Sequence, residues 1–187
     1  INGIRRAGIR FPAGEPVAPA ATLGQIAELA AAGCDIIRVA VPDEAAAAAL
    51  KQIVAESPLP VVADIHFDHR LALAALDAGA AKLRLNPGNI GARDRVEAVA
   101  HAARDRRVPI RVGVNAGSLE RDLLARVEQD EIPLGVAMAE SALHEAATLE
   151  RCGFEDIVVS VKASNIRATI KAYHALAARC DYPLHVG

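Results

Sequence analysis

Two kinds of sequence segment alternate along the chain. Short runs rich in Val and Ile are separated by Ala- and Leu-rich segments whose apolar residues recur every three to four positions. The short runs predict strands, and the longer segments predict helices. The predicted strands cover residues 35–42, 60–67, 81–87, 109–115, 156–162 and 183–186. The predicted helices cover residues 22–32, 44–56, 70–78, 93–107, 137–151 and 165–179.

This alternation indicates an α/β fold in which helices cover a parallel sheet. An open doubly wound sheet usually carries a Gly-rich phosphate turn after its first strand, but the sequence contains neither G-x-G-x-x-G nor a Walker A motif. A (β/α)8 TIM barrel is therefore preferred. Such a barrel typically needs about 250 residues. With 187 residues and about six of eight strands placed, we expect the barrel to be incomplete.

Two units are expected within the chain. Residues 1–18 predict an N-terminal β-hairpin with its turn at Ala13 and Gly14, and the alternative is a frayed tail. Residues 19–187 are assigned to the partial barrel. The interval between its fourth and fifth predicted strands is longer than the others, and predicts an insertion with a short helix over 119–126.

Composition narrows the class of protein. The formal net charge of −2 provides no basic field for nucleic acid. No apolar stretch approaches the roughly 20 residues that span a bilayer, and no signal-peptide pattern is visible. We therefore expect a cytoplasmic protein that binds neither nucleic acid nor membrane. Cys34, Cys152 and Cys180 are widely spaced without a C-x-x-C pattern, and they predict neither a disulfide framework nor an iron–sulfur site.

Each predicted strand carries polar or charged residues near its C-terminal end. The interior of a parallel strand is normally Val, Ile and Leu on both faces, and a buried arginine is costly unless an anion or a hydrogen-bond partner satisfies it. If the sheet closes, these residues meet at the end where barrel active sites lie. They are Arg38, Asp64, His66, Arg84, Asn86, Arg111, Asn115, Lys162, Ser164 and His185.

Four of these residues are cations, and Asp64 is the one carboxylate among them. A multiply charged anion such as a diphosphate is the simplest missing partner, because a guanidinium donates two parallel hydrogen bonds to phosphate oxygens. The alternative is that some of the cations are structural and pair with Asp64 inside the barrel. The cations are Arg38, Arg84, Arg111 and Lys162.

A metal site is a further alternative for the segment around Asp64. His66 shares one face of the strand with Asp64, and His69 follows in the loop. A mononuclear site needs three or more ligands. His66 is equally suited to donate a hydrogen bond to a substrate while Asp64 orients an arginine, and no metal ligand is assigned in this chain.

Six motifs, in the same order along the chain, closely resemble those of the 4-hydroxy-3-methylbut-2-enyl diphosphate synthase family. Members of that family are iron–sulfur enzymes of the non-mevalonate isoprenoid pathway. The resemblance runs from about residue 22 to residue 187. The motifs are IRVAVP at 37–42, VADIHF at 62–67, LRLNPGNIG at 83–91, RVGVNAGSLE at 111–120, VSVKAS at 159–164 and PLHVG at 183–187.

The resemblance implies an oxidoreductase that reductively opens the ring of 2-C-methyl-D-erythritol 2,4-cyclodiphosphate. Electrons would come from ferredoxin or flavodoxin through a 4Fe-4S cluster in a separate C-terminal domain, and the enzyme would be a homodimer. This chain would supply the diphosphate-binding barrel without that domain, and alone it would be inactive. By motif, Asp64 and His66 would orient the substrate. The substrate-binding residues would be Arg38, Arg84, Asn86, Arg111, Asn115, Lys162 and Ser164.

The sequence also departs from the family near its start, and two alternative functions are considered. A strand and a polar loop that the family has near its start are missing here, so we expect a break in the chain between Ala18 and Pro19. One alternative function is a barrel enzyme similar to dihydropteroate synthase, which binds a phosphorylated pterin without redox chemistry. The other is a non-catalytic fragment that binds a diphosphate ligand or a partner.

Overall fold

A computed structural model describes residues 4–11 and 17–186. Within them lies one sheet of six parallel strands, whose order in the sheet follows their order in the sequence. The strands are β1 (Arg6–Ile9), β2 (Ile36–Ala40), β3 (Val61–Asp64), β4 (Lys82–Leu85), β5 (Ile110–Asn115) and β6 (Ile157–Lys162).

Helices connect consecutive strands. Asp43, Asp68 and Asn165 each accept a backbone N–H from the first turn of a helix, so those helices begin where the sequence offers a short polar side chain. No helix of the described residues is long and apolar enough to cross a membrane. The helices are α1 (Pro19–Ala31), α2 (Glu44–Glu56), α3 (His69–Asp77), α4 (Pro87–Ile90), α5 (Arg93–Asp105), α6 (Arg121–Glu128), α7 (Leu134–Glu150) and α8 (Ile166–Ala177).

The sheet is curled into an incomplete barrel. Neighbouring strands lie about 4.8 Å apart, so in a flat sheet β1 and the chain beyond β6 would be roughly 24 Å apart or more. Arg6 Nη1 of β1 instead lies 2.9 Å from Nδ1 of His185, which follows β6. Together with the sequential strand order, this closure confirms the predicted incomplete TIM barrel.

The core lies between the sheet and its helices. Ile37 and Val39 of β2 are fully buried, as are Leu50 and Ile53 of α2. Side chains alternate between the two faces of a strand, so Arg38 points to the opposite face, into the barrel lumen. The two faces of the sheet are therefore chemically distinct: one packs against helices, and the other carries the polar residues.

The N-terminal segment contributes a strand to the parallel sheet. Arg6–Ile9 forms β1 and pairs with β2, with Gly8 opposite Arg38. This pairing satisfies one row of backbone groups, and Ile9 is buried. The predicted hairpin over residues 1–18 stays a prediction. The predicted turn at Ala13 and Gly14 lies outside the described residues.

Ala18 is the N-cap of α1, and its carbonyl accepts the N–H of Thr22 at 3.2 Å. The expected interruption between Ala18 and Pro19 stays a prediction.

The last predicted strand is reduced to a single parallel bridge, between Leu184 and Val159 of β6. Tyr173 of α8 holds this segment: its Oη donates to the carbonyl of His185 at 2.5 Å and accepts the N–H of Val161 at 3.2 Å. The other five predicted strands are confirmed as β2 to β6, and the long interval between β5 and β6 holds α6 and α7.

Candidate functional site

The inward face of the sheet brings together most of the polar residues that the sequence singles out. Asp64 at the end of β3 is the register partner of Arg84 on β4, and Arg84 is the partner of Arg111 on β5. One strand further, Asn115 is the partner of Lys162 on β6. Asp64, Asn115 and Lys162 are the last residues of their strands, at the end where barrel active sites lie, and Arg84 and Arg111 lie further inside the barrel.

Asp64 orients two of the arginines. This residue is 6% exposed, its Oδ1 accepts a hydrogen bond from Arg84 Nη1 at 3.1 Å, and its Oδ2 lies 3.4 Å from Arg38 Nη1. Arg84 Nη2 also donates to the carbonyl of Gly113 at 3.1 Å. A buried ion pair needs such additional hydrogen bonds to offset the loss of solvation. The predicted pairing of arginines with Asp64 is therefore present. It holds Arg38 and Arg84, two of the residues predicted to bind an anion, in fixed positions.

Two glycines give these arginines their space. A Cβ atom at Gly113 would lie 2.6 Å from Arg84 Nε, closer than real Cβ atoms approach another atom. A Cβ atom at Gly8 would lie 3.1 Å from Arg38 Nη2. Glycine inside a strand often marks such a close approach. Gly8 and Gly113 are thus part of the site although they carry no functional group.

Arg111 is held differently from Arg38 and Arg84. It is only 7% exposed, yet among the described residues its guanidinium forms neither a salt bridge nor a hydrogen bond. Burial, followed by the positive charges of Arg38 and Arg84, lowers the pKa of Arg111 to about 10, against the opposing effect of Asp64. The side chain remains protonated at neutral pH. A buried, charged group whose donors face a cavity is suited to a ligand anion.

A cavity of about 170 Å³ lies among these side chains. Asn115 and Lys162 form its border at the strand ends, and the lining contains no carboxylate among the described residues, because Asp64 lies behind the arginines. An excess of positive charge therefore faces the cavity. It is lined by Arg38, Arg84, Arg111, Gly113, Val114, Asn115, Ser160, Val161, Lys162, Tyr173 and His185.

His66 lies beside Asp64, and His69 does not. The His66 side chain is half exposed, with Nε2 3.9 Å from Asp64 Oδ1. His69 begins α3, and its Nδ1 faces Asp68 at 3.5 Å. In residues 4–11 and 17–186, no group of three or more His, Cys, Asp or Glu side chains is arranged to hold a metal ion. The metal alternative therefore finds no ligand set in this segment.

Two residues implied by the motifs do not line the cavity. Asn86 is 3% exposed and caps α4, where its Oδ1 accepts the N–H of Gly88 at 3.2 Å. Ser164 is exposed in the bend that follows β6. Neither is among the residues around the cavity. Their role as hydrogen-bond partners of a substrate stays a prediction.

The structure also adds residues to which the sequence assigned no role. His185 is one of the polar strand residues, and it reaches the cavity from the segment beyond β6. Tyr173 reaches the cavity from α8, and a single tyrosine on a helix gives no sequence signal of that kind.

A protein-family model described as the GcpE TIM-barrel domain matches residues 16–187. The chain belongs to this family. The GcpE barrel is 58% identical over 167 residues to the 4-hydroxy-3-methylbut-2-en-1-yl diphosphate synthase (flavodoxin) of Geobacter sulfurreducens. It is 55% identical over 166 residues to the protein of the same name from Maridesulfovibrio salexigens. Each match covers 89% of this chain and 46% of the relative, so the chain spans about half the length of these relatives. The resemblance inferred from the six motifs is confirmed.

Solved structures share the fold of the GcpE barrel at low sequence identity. Dihydropteroate synthase from Xanthomonas albilineans has a TM-score of 0.61 at 16% identity, covering 96% of this chain and 70% of that one. A truncated 3-deoxy-D-arabino-heptulosonate 7-phosphate synthase from Thermotoga maritima has a TM-score of 0.64 at 12% identity, covering 98% of this chain and 64% of that one. These likenesses concern the fold alone, and they give the dihydropteroate synthase alternative no functional support.

Proposed function

We propose that this GcpE barrel binds the diphosphate of 2-C-methyl-D-erythritol 2,4-cyclodiphosphate. The whole enzyme would then reductively open the ring to give 4-hydroxy-3-methylbut-2-enyl diphosphate. The observation that carries the proposal is the buried guanidinium of Arg111, which faces the cavity with no partner among the described residues. The names of the relatives, synthases of this product that name flavodoxin, support the reaction.

The cations of the cavity would neutralise the diphosphate. Arg111 and Lys162 have no salt bridge among the described residues, so their charge is available to the ligand. Arg38 and Arg84 are fixed by Asp64 before the ligand arrives, which lowers the entropy lost on binding. Charge-assisted hydrogen bonds from guanidinium groups to phosphate are about twice as strong as neutral ones.

The uncharged groups would orient the substrate. Asn115 borders the cavity, and its side-chain amide both donates and accepts hydrogen bonds. His66 beside Asp64 would contact the part of the substrate that extends from the strand ends toward solvent. Asn86 and Ser164 follow the ends of β4 and β6, and their contacts would require the substrate to reach beyond the cavity.

The redox step would take place with groups that this chain does not supply. A 4Fe-4S cluster in a C-terminal domain outside this chain would deliver electrons from flavodoxin or ferredoxin, and the enzyme would work as a cytoplasmic homodimer. The cysteines here do not fit a cluster, because each Sγ donates to a nearby backbone carbonyl and no three ligands converge in the described part of the chain. These cysteines are Cys34, Cys152 and Cys180.

Calorimetric titration of the cyclic diphosphate into Arg111→Ala and Lys162→Ala tests the proposal. Each substitution removes a charge-assisted contact, so we expect the Kd to rise more than tenfold. Lys51→Ala, on the exposed side of α2, is the matched control and should leave the Kd unchanged. Unchanged affinity in both lumen variants would refute the diphosphate assignment. Binding is measured without turnover, so the result also holds if the chain is a non-catalytic fragment.

A further inference from the structure

A second cavity of about 300 Å³ opens in the lumen beside Arg111. Its border includes the row of register partners Gly8, Arg38, Val62 and Lys82, on β1 to β4. This row lies closer to the amino ends of the strands than the site described above. Arg38, Arg111 and His185 line both cavities, so the two cavities adjoin.

Most cations of this second cavity, called here the lower cavity, have no acidic partner among the described residues. Its described lining includes Arg6, Arg38, Lys82 and Arg111, and it includes no carboxylate. Of these four, only Arg38 has a salt bridge within the described residues, and its partner is Asp64. Burial, with the charges of Arg111 and Arg6, lowers the pKa of Lys82, as expected for cations held close together.

His185 orients Arg6 toward the same space. Its Nδ1 and Nε2 atoms lie 2.9 Å and 3.2 Å from Arg6 Nη1. Burial, together with the charges of Arg111 and Arg6, lowers the pKa of His185 to about 4. The ring is therefore neutral at pH 7 and accepts a hydrogen bond from Arg6 instead of adding a charge. Arg6 is thus held in place while its positive charge remains uncompensated.

We propose that the lower cavity is a second anion site, which takes one tetrahedral oxyanion of the phosphate class between Arg6, Lys82 and Arg111. The site is separate from the diphosphate site, and in that respect it rests on the proposed function. A guanidinium carries five N–H donors in a rigid plane, so Arg111 has donors enough for one anion on each side. Such an anion would relieve the mutual repulsion of the three cations.

Two sources of the oxyanion share this chemistry. One is free inorganic phosphate, and the other is a phosphoryl group of the cyclic diphosphate that extends from the upper cavity, the cavity of about 170 Å³ described in the candidate site. The structure favours the free ion, because Arg6 and Lys82, two of the three cations of the proposed site, line the lower cavity and not the upper one. A free ion binds together with the cyclic diphosphate, whereas a phosphoryl group of the substrate would exclude added phosphate.

The test is a titration of inorganic phosphate into the full chain, followed by calorimetry and by 31P NMR, with and without saturating cyclic diphosphate. We expect phosphate to bind in both conditions. Lys82→Met should raise the Kd for phosphate at least tenfold in the presence of cyclic diphosphate, and leave the Kd for cyclic diphosphate within threefold. Lys82→Arg, which keeps the charge, should restore phosphate binding, and Lys51→Met should change neither constant.

Two results would overturn the second site: loss of phosphate binding when cyclic diphosphate saturates the unaltered protein, or an unchanged phosphate Kd in Lys82→Met. Thermal melting without ligand provides the folding control, since Lys82→Met removes a repelling charge and should melt no lower than the unaltered chain. Lys162→Met separates the two proposals. If it and Arg111→Ala both leave cyclic diphosphate affinity unchanged, the proposed function fails while the phosphate result at Lys82 stands by itself.

Discussion

Replacing Gly113 with alanine tests how tightly the arginines of the lumen are placed. The new Cβ would lie 2.6 Å from Arg84 Nε, 2.9 Å from Nη2 and 3.1 Å from Cζ. Arg84 is buried between neighbouring strands and cannot swing into solvent without leaving its partners. The guanidinium must therefore move away from the carbonyl of Gly113 and from Asp64.

The cost follows from the contacts that are lost. A hydrogen bond to a charged group contributes about 1.5–3 kcal/mol, and breaking a buried ion pair costs about 3–5 kcal/mol. Asp64 would keep Arg38 at 3.4 Å, so the loss is partial. We expect Gly113→Ala to lower the free energy of unfolding by about 3 kcal/mol. The same displacement should weaken the proposed binding of the cyclic diphosphate, because the guanidinium of Arg84 leaves the position in which Asp64 and Gly113 hold it.

Urea denaturation followed by circular dichroism measures the change. Gly117→Ala is the control, because no atom lies within 4 Å of its added Cβ and its backbone does not have a positive φ. That variant should stay within about 0.5 kcal/mol of the unaltered chain, as surface substitutions usually do. If Gly113→Ala is as stable as Gly117→Ala, Arg84 does not occupy the position described, and the packing argument fails.

Two further predictions concern the carboxyl group of Glu145 and the hydroxyl group of Tyr173. Burial, together with the negative charge of Glu120, raises the pKa of Glu145 to about 7, although the hydrogen bond from the N–H of Gly88 acts in the opposite direction. The folded state therefore holds this proton more tightly than the unfolded chain. The free energy of unfolding should therefore fall by about 3 kcal/mol between about pH 4.5 and pH 7, as measured by urea denaturation. If the Glu145→Gln variant shows the same pH dependence as the unaltered chain, this prediction is wrong. Tyr173→Phe removes the hydroxyl that binds the carbonyl of His185 and should cost about 1–2 kcal/mol in thermal melts. Unchanged hydrogen exchange around residue 185 would argue against that contact.

Much of the fold could be predicted because its signals are local. The Val- and Ile-rich runs and the helical spacing between them predicted β2 to β6 and the helices around them. Arg6–Ile9 could not be assigned in this way, because its parallel pairing with β2 depends on a partner that lies far along the chain. The segment around Leu184 has a strand-like sequence but makes a single bridge, to Val159, in the described part of the chain.

The candidate site was predictable to the extent that it lies on strands. A charged residue within an apolar strand is conspicuous, and this identified Arg38, Arg84 and Arg111 before any geometry was known. The roles of these side chains were not visible, because nothing in a sequence distinguishes the paired Arg84 from Arg111, which has no partner among the described residues. Asn86 is a related case: asparagine is favoured both in ligand sites and at helix N-caps, and here it caps α4.

The sequential order of the strands has a consequence for folding. The strand residues around the upper cavity come from β2, β4, β5 and β6, and the carboxylate that orients two of them comes from β3. Each neighbouring pair of strands is joined by its own helical connection, so local units can form one after another. The cavity exists only when all these units have docked in register. If the chain binds a diphosphate as proposed, its affinity would report on completion of the sheet, and a partly folded chain with native helices would still be unable to bind the anion.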